Sequence, residues 1–184
     1  MHFITGTSST LPPAVMTAIG HYRHKVFVEH LGWKLNCTDG LEYDQFDRDD
    51  TVYVVAQNDD DQIIGTARLL STTRPYLLSE VFPELLSGET PPHSETVLEL
   101  SRFAAMDFDV RNKKVASQFS SDIAIDLMRE TLASAASQGA NKLITVSPLG
   151  VERLLRNVGI HASRVGKVTH SDGKKIFASW ITVS

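Results

Sequence analysis

The sequence predicts a mixed α/β fold, with helices layered on a central sheet, and three observations carry that prediction. Strand-like stretches recur at 51–57, 62–71, 97–106 and 142–147, the first by its β-branched content. Apolar residues fall at helical spacing in two blocks, one before the first strands and one between the third and fourth. The resulting order of helix, strands, strand, helix, strand, helix, strands suits a sheet covered by helices rather than a bundle or an all-β sandwich.

The first helix begins at Pro12-Pro13, after Ser8, Ser9 and Thr10, and carries Val15, Met16, Ile19, Tyr22, Val26 and Phe27 at helical intervals until Gly32 stops it. Residues 34–50 have no periodic pattern and many acids, so they read as a long loop. Thr51–Gln57 and Gln62–Ser71 flank the turn Asn58-Asp59-Asp60-Asp61 and read as an antiparallel hairpin. Residues 72–95 hold four prolines and read as a second loop, with an apolar plug of Tyr76, Leu77, Leu78, Val81 and Phe82. Val97–Met106 is a strand. Ser117–Gln138 is the clearest helix, closed by Gly139. Lys142–Ser147 is a strand, Gly150–Asn157 a short amphipathic helix closed by Gly159, and Ala162–Val168 and Lys174–Val183 are strands joined by Ser171-Asp172-Gly173.

Composition narrows the function classes. The 184 residues suggest one domain spanning 1–184, with 42% hydrophobic and 22% charged residues. A net charge of -4 argues against bulk nucleic-acid or membrane binding. The only cysteine, Cys37, excludes an internal disulfide framework and fits a cytoplasmic location. The start of the chain lacks the pattern of a signal peptide, and no apolar run reaches the roughly 20 residues that span a bilayer.

The chemistry-bearing residues cluster between Arg23 and Arg102. Glu42, Asp44, Asp47, Asp49 and Asp50 crowd one loop, interleaved with Tyr43 and Phe46. A solvated acidic loop is the plain alternative; a metal site is disfavoured, because neither a calcium-loop ladder nor a histidine cluster is present. Arg68, Glu99 and Arg102 lie in strands among apolar residues, where charge is costly to bury unless it is paired or binds something. Side-chain alternation puts Glu99 and Ser101 on one face and Arg102 on the other, and a bulge near Ser101 would bring Glu99 and Arg102 together. The competing reading is an interstrand ion pair at a sheet edge. Arg111, Lys113 and Lys114 precede the long helix where N-acetyltransferases carry a glycine-rich pyrophosphate loop; Lys114 stands in place of the first glycine. Arg153 and Arg156 give the late helix a basic face suited to an acidic carrier protein, or simply to solvent.

With these residues in place, the chain resembles the acyl-homoserine-lactone synthases, the autoinducer synthases of bacterial quorum sensing. The matching positions are Arg23, Phe27, Trp33, Glu42, Asp44, Asp47, Arg68, Phe82, Glu99 and Arg102, in order and at the family's spacing over about residues 20–160. The resemblance implies a three-layer mixed-sheet fold similar to the GNAT N-acetyltransferases. It implies N-acylation of S-adenosylmethionine by an acyl thioester, then lactonisation with release of methylthioadenosine. S-adenosylmethionine is then a co-substrate, with no cofactor and no metal expected.

The resemblance assigns Glu99, Arg102, Arg23 and Asp47 to catalysis, with Glu99 as the candidate base. It assigns Arg23, Phe27, Trp33, Glu42, Asp44, Asp47, Arg68, Arg102 and Phe103 to S-adenosylmethionine. Ser101, Ile123, Met128, Leu143, Thr145, Val146 and Leu154 are candidates for the acyl pocket, again with Phe103. Arg111, Lys113, Lys114, Arg153 and Arg156 are candidates for docking an acyl carrier protein, with acyl-coenzyme A as the other possible donor. Competing functions are acetyl-coenzyme-A-dependent acetylation of a small amine and non-catalytic binding.

Overall fold

The computed structural model describes residues 1–108, 122–148, 150–171 and 173–183. A seven-stranded sheet runs in the order β1-β2-β3-β4-β5-β7-β6. Its strands are β1 His2–Gly6, β2 Val52–Gln57, β3 Ile63–Ser71, β4 Val97–Ala105, β5 Lys142–Pro148, β6 Ala162–Ser171 and β7 Lys174–Thr182. All neighbouring pairs are antiparallel except β4 and β5, which are parallel. A parallel step needs a crossover, and helix α3, Asp122–Ser137, lies within it.

Each face of the sheet is covered by helix, which makes three layers. On one face Leu98, Leu100, Phe103 and Ala105 of β4 and Leu143 of β5 pack with Ala124, Leu127 and Met128 of α3 and Leu154 and Leu155 of α4, Gly150–Asn157. Burying each such large side chain contributes about 1.5–3 kcal/mol. On the other face α1, Pro13–Arg23, places Ile19 against Tyr53 and Val55, and its continuation places Val26 and Phe27 against Ala104 and Met106.

Proline at the start of α1 fixes φ where no hydrogen bond is lost. At His24 the helix widens: residues 24–30 form a π-helical turn, and Leu31 N–H donates to the Val26 carbonyl five residues back. Gly32 takes φ of 68°, which a side chain would resist, and this turns Trp33 N–H back onto the Phe27 carbonyl at 2.8 Å. Gly20 has a different purpose. A Cβ there would come within 2.7 Å of the Tyr43 ring, so glycine lets the acidic loop lie directly on α1.

The hairpin, the β4 and β5 strands and the late helix fall where the sequence predicts them. Two parts differ. His2–Gly6 is an edge strand paired with β2 along its whole length, too short to show alternation in sequence. The proline-rich stretch is not all loop: it contains the five-residue helix α2, Leu77–Val81, and a 3-10 turn at Pro83–Leu86. Neither is long enough to display a helical period.

Candidate active site

The cleft comes from β4 and β5 parting. Their pairing runs from Val97–Lys142 to Leu100–Thr145, after which β4 continues to Ala105 and β5 to Pro148 outside that pairing. Just past the split β4 carries a bulge. Thr66 pairs with Ala104 but Arg68 with Ser101, so Arg102 and Phe103 together oppose Ala67. Arg102 holds φ of 49°, a left-handed conformation costly for a residue with a side chain. The extra residue turns Arg102 onto the face of Glu99 and Ser101, while Phe103 resumes the α3 face. The bulge expected near Ser101 is therefore present, centred on Arg102.

It does not join Glu99 to Arg102. Arg102 instead completes a closed network of three arginines and three carboxylates. Arg23 donates to Glu42 at 2.6 Å and to both oxygens of Asp47 at 2.7 and 3.0 Å. Arg68 donates to both oxygens of Asp44 at 2.6 and 3.2 Å, to Ser101 Oγ at 3.0 Å, and pairs with Asp47 at 3.1 Å. Arg102 donates to Glu42 at 2.8 Å and to Asp44 at 2.9 Å. The phenol of Tyr53, opposite Arg68 in the hairpin, donates to Asp47 at 3.0 Å.

The loop presents its acids by its own backbone bonds. Glu42 N–H donates to the Gly20 carbonyl, Asp44 N–H to Asp47 and Phe46 N–H to Asp44. Asp49 and Asp50 turn outward to Arg74 and Arg48 at the surface. Burial alone would raise the Asp47 carboxyl, but Arg23 and Arg68 beside it hold it well below the usual carboxylate range. Burial and then Arg102 and Arg23 act on Glu42 in the same opposed way, with a net lowering.

The network is charge-balanced and mostly sealed. Arg23, Arg68 and Glu42 have side chains 1% exposed, whereas Asp44 is 16% and Arg102 6% exposed. Over Arg102 lie two aromatic rings. Its guanidinium carbon is 5.6 Å from the Phe27 ring and 6.0 Å from Trp33, and the two rings stack at 4.8 Å.

Glu99 stands apart from the guanidinium groups. It is fully buried, opposite Ile144 one pair before the split, beside the cluster of Leu70, Tyr76, Leu78 and Val97. Its oxygens accept the backbone N–H groups of Leu77 at 3.0 Å and Leu78 at 2.7 Å. Burial raises its pKa to about 7, with those two N–H groups and the more distant Arg68 and Arg102 moderating the rise. A carboxylate held near neutrality one pair from the end of the β4–β5 pairing can accept and return a proton at physiological pH.

A scan against family models matches residues 13–184 to the autoinducer synthases. The chain belongs to the autoinducer synthase family. The match extends past Gly159 to the C-terminus and beyond residues 20–160. Acyl-homoserine-lactone synthases from Acinetobacter nosocomialis and Acinetobacter baumannii are 49% and 48% identical, each alignment covering 100% of both chains. Among solved structures, TofI in a ternary complex with an inhibitor and MTA has a TM-score of 0.86 at 41% identity, covering 100% of this chain and 92% of that one. BjaI, a CoA-dependent acyl-homoserine lactone synthase with SAM and isopentyl-CoA, has a TM-score of 0.85 at 25% identity, covering 100% and 82%. A protein of Lactobacillus plantarum described as an N-acetyltransferase shares the fold, at a TM-score of 0.65 and 18% identity, covering 100% and 98%. The mixed-sheet fold expected from the family resemblance is thus present.

The remaining candidate residues of this family member divide between the two faces. Met128, Leu143 and Leu154 share the α3 face with Phe103, and Ile123 packs against them. Thr145 follows Leu143 on that face by alternation and bonds to Ser147 at 3.0 Å. Val146 points to the opposite face with Ile144, and Ser101 is engaged by Arg68. Phe103, assigned from sequence to both sites, sits with the acyl-pocket candidates and away from the charged network. Arg156 is exposed at the end of α4. Arg111, Lys113, Lys114 and the Arg153 side chain lie outside the described residues.

Sequence reasoning missed Tyr53 and the Leu77 and Leu78 amides as partners of the site's carboxylates, and it did not single out Ser179. Tyr53 was findable by pairing the hairpin, but backbone donors leave no signature in residue types. Ser179 pairs with Thr145 across β5 and β7, and its Oγ is buried with no hydrogen-bond partner among the described residues. Ser179→Ala is expected to leave the melting temperature unchanged or raise it, a gain of up to about 1 kcal/mol, because a desolvated hydroxyl is removed. A clear fall in Tm on thermal unfolding would mean that this hydroxyl has a partner in solution.

Proposed function

We propose that this chain makes an N-acyl-L-homoserine lactone in the cytoplasm from S-adenosylmethionine and an acyl thioester. The observation that carries the reading is Glu99, the one carboxylate of the charged set without a guanidinium partner, held near neutral pKa where β4 leaves β5. In the first step the substrate ammonium gives a proton to Glu99 through a water, since the carboxylate itself is fully buried. The freed amine attacks the thioester carbonyl, the carbon–sulfur bond breaks, and the thiolate leaves with a proton. Backbone N–H groups of β4 beyond the split can stabilise the oxyanion. In the second step the substrate carboxylate attacks its own γ-carbon, and the sulfonium bond breaks to release methylthioadenosine. The sulfonium supplies the leaving group, so the protein need only hold the attack geometry.

The closed network refines the division of labour. Arg23, Glu42, Asp47 and Arg68 spend their charges on one another and act as a frame. Asp44 and Arg102, the more exposed members, face the zwitterionic end of the substrate, Asp44 toward its ammonium and Arg102 toward its carboxylate. Phe27 and Trp33 flank the sulfonium and adenine. The acyl chain runs beneath α3 and α4 along Phe103, Met128, Leu143, Thr145 and Leu154. The relatives named acyl-homoserine-lactone synthase support the reading, as do the MTA bound by TofI and the SAM bound by BjaI.

The test is product analysis. With S-adenosylmethionine and an acyl thioester, the purified chain should release methylthioadenosine and an acyl-homoserine lactone in equal amounts, read by mass spectrometry. Release without a thioester, or acetylation of small amines by acetyl-coenzyme A instead, would refute it.

The donor we favour is an acyl carrier protein, on the basic residues Arg111, Lys113, Lys114, Arg153 and Arg156. KM for acyl carrier protein should then rise severalfold between low and about 0.5 M salt, while KM for acyl-coenzyme A changes less. Salt-insensitive turnover with the carrier protein would count against that donor.

A further inference from the structure

At the start of β7 the C-terminal hairpin meets the end of the widened helix. Lys174 opens β7, and its ammonium donates to the Leu31 carbonyl at 2.6 Å and stands 5.4 Å over the Trp33 ring. Leu31 caps the widened helix. Carbonyls in a last turn have no partner within the helix and sit at the negative end of its dipole, so an ammonium is the complementary group.

The topology gives this contact its meaning. Ile176 pairs with Pro148, so Lys174 lies two residues beyond the end of β5 that has parted from β4. The helix it touches packs on Ala104 and Met106, at the parted end of β4. The contact therefore bridges the elements at the parted ends of β4 and β5. Trp33 follows a glycine and stands outside regular structure. Its indole is held by the Phe27 stack, by Arg102 and by Lys174.

We propose that Lys174 is a positioning residue for S-adenosylmethionine: it holds Trp33 against Phe27 and so sets the aromatic wall beside Arg102. The proposal rests on the synthase reading of the site. It also has a sign. If the substrate sulfonium took the place over Trp33 where the ammonium stands, two cations would compete, and removing Lys174 would tighten binding. If Lys174 positions the ring, its removal loosens binding.

Lys174→Met keeps the aliphatic stem and removes the charge; Lys174→Arg keeps the charge. In Lys174→Met the KM for S-adenosylmethionine is expected to rise about tenfold, with kcat within about twofold and the KM for the acyl donor unchanged. Lys174→Arg should recover most of the loss. Because the chain has two tryptophans, a Trp180→Phe background leaves Trp33 as the sole emitter, and its emission should shift in Lys174→Met without any substrate. A lowered KM, an unchanged KM with unchanged emission, or a Lys174→Arg variant no better than Lys174→Met would each overturn the proposal. If the unaltered chain released no methylthioadenosine, the synthase reading would fail, while Trp33 emission would still report on the Lys174 contact.

Discussion

Glu99→Gln is expected to lower kcat by about 10²- to 10⁴-fold, the range for losing a general base. The pH dependence carries the sharper signature. A base must be unprotonated, so kcat/KM of the unaltered chain should climb with pH and level off above about 7, the value to which burial pushes Glu99. In the variant that limb should vanish. Glutamine keeps an acceptor for Leu78 N–H but turns an amide toward Leu77 N–H, so a fall of a few degrees in Tm is expected too. Release of methylthioadenosine by the variant as fast as by the unaltered chain, with the same rise between pH 6 and pH 8, would remove Glu99 from the base role.

The second large effect is on stability. Glu42→Gln leaves the guanidinium groups of Arg23 and Arg102 buried beside a neutral group. Breaking one partner of a buried ion pair costs about 3–5 kcal/mol. For a chain of this size that corresponds to a fall in Tm of roughly 10 °C. Calorimetry on the variant decides it, and a loss of under about 1 kcal/mol would mean that water reaches the network.

The acid limb of stability should move as well. Glu42 and Asp47 are held below their unfolded values, so their contribution is present above about pH 4.5 and is lost as pH falls through the folded values. Glu99 works in the opposite sense. Its pKa is raised from 4.5 to about 7, so its stabilising proton is fully in place below about 4.5 and is lost as pH rises through about 7. The site trades stability at neutral pH for a carboxylate poised to react.

Much of the fold was legible because β2, β3 and β5 carry β-branched residues, β4 reads as an apolar, strand-like run, and α1 and α3 keep a helical period. β1 and α2 were not, since five residues cannot display a period. In the site, the identities of the charged residues were legible and their partners were not. Arg23 meets Asp47 across 24 residues and Arg102 meets Glu42 across 60, distances over which no local pattern constrains the chain. The bulge was readable only as a need: alternation set Arg102 on the wrong face, and something had to correct it.

The sequence by itself determined which chemical groups this protein brings to its cleft, because side-chain identity is fixed before folding. It also determined the longer sheet and helix segments, because their patterns are local. Only the tertiary structure decided that the three arginines answer three carboxylates, that Glu99 is left with two backbone N–H groups instead, and that Lys174 closes on Trp33. These are outcomes of burial. Once water is excluded, each charge must take whatever partner the packed chain offers, and that choice is made by the whole fold.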